Sequence, residues 1–288
     1  RLAAADSLNQ SSAQVAVFVG QGVGGVLFRV LGAPLLFLID GLSYLFSAVS
    51  ELFIRIPQAL PERGRSWAEL YAAFKRDTAE GFSYVWKRRG MRNFFLAVAV
   101  LNFFSMPLIV LLPFYVTDVL KTTADWYGFI LAAHGGGALL GYAVAGALRL
   151  PVRVRGPAVV GALLAAGLLF AGLGLTDVPW VALTITALTG VMSGFININI
   201  VTVLQQSTPS RIRGRVFGLL TTLSMGLAPL GLGASGVVAD LLGRDVPLIY
   251  IGVGVISGAL TLLIALDPAF RNYLSEEAAP PPPEASAT

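Results

Sequence analysis

The chain has 288 residues, 56% hydrophobic and only 12% charged, against the ~25% charge of an ordinary soluble domain, which excludes a water-soluble globule and points to an all-α polytopic membrane protein. Its net charge of +4 and pI near 9.6 would suit a nucleic-acid binder, but the cations sit in short gaps beside apolar stretches, where they orient helices and meet lipid headgroups, so no nucleic-acid partner is expected. With no cysteine and one histidine, disulfides, thiolate metal sites and cysteine nucleophiles are excluded, and neither a metal nor a cofactor is expected.

Eight apolar stretches follow one another: Ser7 to Phe28, Leu31 to Phe53, Phe94 to Val119, Trp126 to Leu148, Pro157 to Leu175, Trp180 to Leu204, Val216 to Ala239 and Pro247 to Leu266. Each has about 20 residues or more, enough to cross ~30 Å of hydrocarbon as a helix. The long polar gap lies between the second and third stretches, from Arg55 to Arg92. It opens with a proline-marked loop, Ile56 to Pro61, and continues as a predicted helix from Ser66 through Arg89, where Ser66 and Glu69 have capping-box spacing. Trp67, Leu70, Tyr71, Phe74, Phe82 and Trp86 form an imperfect apolar stripe beside Lys75, Arg76, Lys87, Arg88 and Arg89. That pattern fits a helix lying in the cytoplasmic interface; the alternative is a linker that only tethers. Beyond the last stretch, Glu276 to Thr288 contains Pro280 to Pro283 among Ala and Ser and reads as a disordered tail. The chain opens at Arg1 without methionine or a signal segment, and reads as the interior of a longer protein.

Charge gives the stretches an orientation. Seventeen of the 20 Lys and Arg residues fall on alternate gaps, and only Arg29, Lys121 and Arg244 fall on the others. By the positive-inside rule the basic gaps are cytoplasmic, so both ends of the chain are expected inside a plasma membrane crossed an even number of times. The two ends of the chain also resemble each other. Arg1 to Leu8 leads into a helix closing on Gly22 to Val26, and Arg211 to Gly218 leads into one closing on Gly233 to Val237. In both, a short basic turn feeds a small-residue helix, an outer turn and one more apolar helix, as expected of the two halves of a transporter.

Polar groups at membrane depth are the functional candidates, because each is costly unless it meets a partner or a cavity. Asp40 lies about nine residues into the second stretch, roughly 13 Å along at ~1.5 Å per residue. A carboxylate there can take and release a proton as water access alternates, or can organise packing by hydrogen bonding; Ser43, Tyr44 and Ser47 share or flank its face. His134, beside Gly135, Gly136 and Gly137, is the second proton-coupling candidate, with a packing role as the alternative. Asn102, Phe103, Tyr44, Asn197, Val201 and Gln205 are the substrate-cavity candidates. Asn197, Val201 and Gln205 share one helical face, whereas Asn199, Thr202 and Gln206 share another. Aromatic side chains such as Phe104, Tyr115, Trp126 and Phe195 suit either an apolar cavity or packing. Arg211, Arg213 and Arg215 stand at a cytoplasmic helix entrance, where they pair with lipid phosphate or with an acid that closes an inner gate, or simply orient the helix. The glycines Gly20, Gly22, Gly24, Gly25, Gly135, Gly136, Gly137 and Gly141 let helix backbones approach closely.

Four segments carry a family resemblance: Asn9-Gln-Ser-Ser to Gly24-Gly25; Gly32 to Tyr44, including Asp40; the glycine and alanine pattern from Gly128 to Gly141; and Asn197 to Pro209 followed by Arg213-Gly-Arg-Val-Phe-Gly218. The chain resembles the major facilitator superfamily, in its bacterial branch of multidrug, macrolide and enterobactin exporters. Exporters of that superfamily often carry a glycine-proline pair in the fifth helix; the matching stretch here keeps its glycines but has Gln21 in the proline position. The charged signature between the second and third helices has only a faint relative here, Gly236 to Arg244, on the outer side and without a gating role.

The resemblance implies eight transmembrane helices, the fifth to the twelfth of a twelve-helix fold, with the N-terminal four helices absent. Residues 1–54 would close the N-terminal half, 55–92 form the cytoplasmic central loop, 93–267 the six-helix C-terminal half and 268–288 the cytoplasmic tail. The implied function is secondary active, proton-driven efflux of amphipathic drugs, macrolides or siderophores by alternating access, from a monomer in the bacterial inner membrane whose partners are substrate, protons and lipids. A non-transporting truncated or scaffold protein is the alternative. An enzyme is not expected, since isolated Ser, His and Asp residues show no catalytic spacing.

Overall fold

The computed structural model describes residues 27, 30–53, 67–148 and 150–274. The first apolar stretch apart from Leu27, and with it Gly20 to Gly25, the loop through Ser66, the side chains of Trp67 and Leu70, and the tail from Glu276 lie outside the described residues. Every regular element among the described residues is helical: α1 (Val30–Glu51), α2 (Trp67–Lys87), α3 (Arg89–Val110), α4 (Leu112–Phe114), α5 (Asp125–Leu148), α6 (Val152–Leu173), α7 (Pro179–Ser207), α8 (Ser210–Gly226), α9 (Ala228–Leu241), α10 (Val246–Leu266) and α11 (Pro268–Leu274). Among these residues seven helical segments are long and apolar enough to span a bilayer, α8 and α9 counting as one. They correspond to seven of the eight predicted stretches.

Boundaries moved where proline intervenes. The third stretch is not one helix to Val119: α3 ends after Pro107, and the chain continues through α4 and a π-helical turn, Tyr115–Val119. Pro107 and Pro113 each remove a backbone donor, which breaks the regular ladder. The stretch predicted from Val216 to Ala239 divides at Leu227, with Pro229 in the first turn of α9. α6 starts at Val152, before the predicted Pro157, which is tolerated inside the helix at the loss of one backbone donor. The helix predicted to reach Arg89 stops at Lys87, because Arg88 is extended and separates α2 from α3.

α3 and α5 to α10 pack as a bundle whose close contacts are made by glycine. At the α5–α7 seam, a Cβ on Gly137 would lie 2.0 Å from the Ala187 carbonyl oxygen, and one on Gly141 2.2 Å from that of Val191. Gly190 and Gly194 meet α5 as tightly, 2.1 Å from the carbonyl oxygens of His134 and Ala138. Gly254 approaches Gly167 and Ala171 of α6 in the same way, and Gly231 brings α9 against Phe103 and Met106 of α3. In a solvent of lipid tails, such backbone proximity supplies the dispersion attraction that apolar burial cannot.

Two buried clusters lie at opposite ends of the bundle. One gathers Leu108, Tyr115, Val116, Ile249 and Tyr250; Tyr115 donates its hydroxyl to the Leu173 and Thr176 carbonyls at 2.8 and 2.9 Å, and Tyr250 to that of Leu108 at 3.1 Å. The other gathers Val85, Met91, Phe94, Leu204, Val216, Phe270 and Tyr273. The second cluster marks the end where the basic gaps meet.

Candidate functional site

At the basic end, α2 lies across the start of α8. Gly81 admits this approach, since a Cβ there would meet Arg215 at 3.2 Å, and Val85 is buried beside it. Asp77 and Glu80, three residues apart on one face of α2, point at α8. Arg211 donates to Glu80 at 2.8 Å, and Arg215 pairs with Asp77 at 3.0 Å and with the other oxygen of Glu80. Arg213 does something else. Its Nη2 donates to the carbonyls of Gln205 and Thr208 at 2.9 and 3.2 Å, capping the end of α7. Its Nε and the Thr208 hydroxyl are buried without a protein partner. The three predicted gate arginines are thus brought together, two as ion-pair donors and one as a helix cap.

The turn between α7 and α8 is held from several sides. The Ser207 carbonyl accepts from the Tyr84 hydroxyl at 3.0 Å and from Arg88 at 3.3 Å, and the Ser207 and Tyr273 hydroxyls share a 2.7 Å hydrogen bond. Partial burial raises the Tyr84 phenol above its ordinary pKa against the opposing pull of Arg88. Arg155, buried at the start of α6, donates to the Gln206 side chain at 2.7 Å. At the end of α10, the Asn93 side-chain amide above all, against an opposing desolvation, and then the Ala269 backbone N–H and Arg89 hold the Asp267 carboxyl below the usual carboxylate range.

The substrate-cavity candidates separate by face. Along α7, Asn197 and Gln205 are exposed and Val201 is half-buried, whereas Asn199 is buried and bonds back to the Phe195 carbonyl at 2.8 Å. The opposition of these two faces follows the helical period. Asn102 lines an apolar cavity of about 110 Å³ between α3, α6, α7 and α10, beside Thr261 and Ile200; its amide donates to the Val98 carbonyl at 2.8 Å. Phe103 is half-buried, its backbone carbonyl beside Gly231 of α9 and its ring edge-on to Phe104 at 5.4 Å.

The two proton-coupling candidates stand apart in character. Asp40 is exposed on α1, a helix with no buried residue, and its carbonyl accepts from Ser43 at 2.7 Å; Tyr44 on the same helix is 72% exposed. His134 is half-buried in α5 at the glycine seam, where its carbonyl faces Gly190. Asp77 and Glu80 were not singled out from the sequence, although their spacing on an amphipathic helix beside a basic segment was a usable signal. No group of acids and histidine suited to a metal ion occurs among the described residues.

The family described as transmembrane secretion effector matches residues 1–286. The multidrug efflux pump Tap of Mycobacterium tuberculosis is 27% identical over 253 residues, which cover 86% of this chain and 58% of the pump. A pump of the same name from Mycolicibacterium fortuitum is 26% identical over 258 residues, covering 86% and 61%. YkuC of Bacillus subtilis, an uncharacterised MFS-type transporter, is 25% identical over 259 residues, covering 88% and 60%. The chain therefore spans about three fifths of the length of these relatives.

Proposed function

The chain belongs to the transmembrane secretion effector family of the major facilitator superfamily, a family of transporters and not of enzymes, and from that premise we propose that it forms the greater part of a secondary active exporter of amphipathic compounds. In this reading the seven described spans correspond to the sixth to the twelfth helices of a twelve-helix fold. The basic end faces the bacterial cytoplasm, the protein works as a monomer in the inner membrane, and inward proton flow drives export by alternating access.

One observation carries the proposal beyond family likeness. Asn197 stands exposed ten residues inside the end of a 29-residue apolar helix, with Gln205 on the same face at its basic end, and an amide facing hydrocarbon without a partner, as Asn197 would be, costs free energy. A water-filled cavity between two helical halves removes that cost and offers hydrogen bonds to a substrate. Val201, Tyr44 and Phe103 supply apolar contact in this reading, and Asn102 reaches the cavity when α3 shifts. Asp40 carries the proton, with His134 a secondary relay. Arg211 and Arg215, tied to Asp77 and Glu80, hold the cytoplasmic side in one of its two states.

The efflux homologues support an export direction; the names of the Tap proteins support drugs as cargo. The test is export of a fluorescent cationic dye by the native protein reconstituted in vesicles. Replacing Asn197 or Gln205 with Leu is expected to raise the KM for dye about tenfold each, the worth of one polar contact of ~1.4 kcal/mol. Unchanged KM in both variants would remove the stripe from the substrate path.

A further inference from the structure

α2 divides its charges between two sides. Of its acids, Asp77 and Glu80 are committed to the arginines of α8, while Glu69 lies in the first turn. On the side turned away from α8, Tyr71, Lys75, Thr78, Phe82 and Trp86 succeed one another at i, i+4, i+7, i+11 and i+15, and all are exposed. This is one continuous stripe of a helix. Tyr71 is 69% exposed, and Phe82 and Trp86, stacked at 4.9 Å and 15°, are 44% and 45% exposed. Arg76 and Lys87 are exposed along its border, and the Arg92 guanidinium lies 5.8 Å from the Trp86 ring centre.

We infer that this outward stripe of α2 is a docking surface for an anionic bilayer, with Tyr71, Phe82 and Trp86 at headgroup depth and Lys75, Arg76 and Lys87 on lipid phosphates. The residue types favour a lipid surface over a protein groove. The stripe has amphipathic aromatic rings and a central lysine where a protein-binding helix face would carry Leu, Ile or Val, and aromatic rings with basic neighbours are what the headgroup region selects. No acid lies on the stripe to repel an anionic surface. Position agrees as well: one extended residue, Arg88, separates α2 from α3, which is long and apolar enough to span the membrane, so the end of α2 is tethered at the bilayer surface. Because the same helix holds Arg211 and Arg215 from its other side, anionic lipid on the stripe would favour the closed ion-pair cluster. The surface itself does not depend on the transport reading.

The chain contains no cysteine, so Thr78→Cys places a single spin label within this segment, in the middle of the stripe. The native protein carrying it is reconstituted in bilayers of phosphatidylcholine with and without phosphatidylglycerol, and label collisions with lipid-soluble oxygen and a water-soluble nickel complex are compared. The expected result is a severalfold higher oxygen-to-nickel ratio when phosphatidylglycerol is present, lost when Lys75, Arg76 and Lys87 are changed to Gln. Equal access to the nickel complex with or without phosphatidylglycerol overturns the inference. So does a label shielded from both reagents, which would mean that protein covers the stripe, and so does an oxygen preference that the Gln substitutions leave unchanged.

Discussion

Arg213 and Arg215 are two residues apart and do different work, and the difference is measurable. Arg215 has two acidic partners on α2 and is about one third exposed, so each pair is worth at most ~1 kcal/mol after solvent screening. A shift of that size changes the population of a two-state gate about fivefold. Glu80→Arg should therefore speed opening of the cytoplasmic side, measured as label accessibility within the cavity, and adding Arg215→Glu should restore it. Arg213→Ala should instead lower thermal stability by ~1 to 3 kcal/mol, because it strips the last carbonyls of α7 of a charged donor. At Asp40, replacement by Asn is expected to abolish proton-driven efflux while leaving membrane insertion intact; undiminished transport would remove Asp40 from the coupling path. Asp267 makes a prediction about pH. Its folded carboxyl titrates below its unfolded value of ~3.9, so its contribution to stability is present above that pH and disappears as pH falls through the folded pKa. Asn93→Leu removes the leading cause of the depression, and the acid limb of the unfolding curve should move upward toward pH 4.

At the scale of elements, the spans were legible because membrane crossing imposes a length and a composition that appear in one dimension. Their interruptions were harder to read. Pro107, Pro113 and Pro229 were visible, but whether a proline kinks, ends or merely decorates a helix depends on which neighbours donate to the carbonyls left at the break, and Tyr250, which donates to the Leu108 carbonyl, shows that such neighbours lie far along the chain. Gly137 and Gly141 were recognised as sites of close approach, while their counterparts Gly190 and Gly194 on α7 were not, because seam partners are set by packing. The same reason hid Asp77 and Glu80, more than 130 positions before the arginines they hold. These glycines separate sharply in tolerance. Gly137→Val or Gly194→Val forces side-chain carbon into backbone carbonyls and should cost upward of ~3 kcal/mol or prevent folding. Gly161→Ala or Gly258→Ala enters open space and should leave the thermal midpoint in detergent within a degree or two.

For the whole molecule, the contacts at the ends of the bundle agree with the alternation of charge. Arg88, Arg155, Arg211, Arg213 and Arg215, read as lying on one side, meet in one hydrogen-bonded end, and the Tyr115 and Tyr250 contacts occupy the other. The family was readable from the four segments that resemble it, among them Gly32 to Tyr44 and Asn197 to Pro209, and the helical membrane class from composition. The substrate was not, since apolar cavities use the same residues as packing. The central claim, that this chain is the greater part of a proton-driven exporter, is tested most directly by flux. The native protein is reconstituted in vesicles with a fluorescent amphipathic dye, and a pH gradient is imposed. The account predicts dye movement against its concentration gradient that follows the sign of the pH gradient and stops on adding a protonophore. Dye movement indifferent to the pH gradient, or none above protein-free vesicles across a panel of amphipathic dyes, would contradict it.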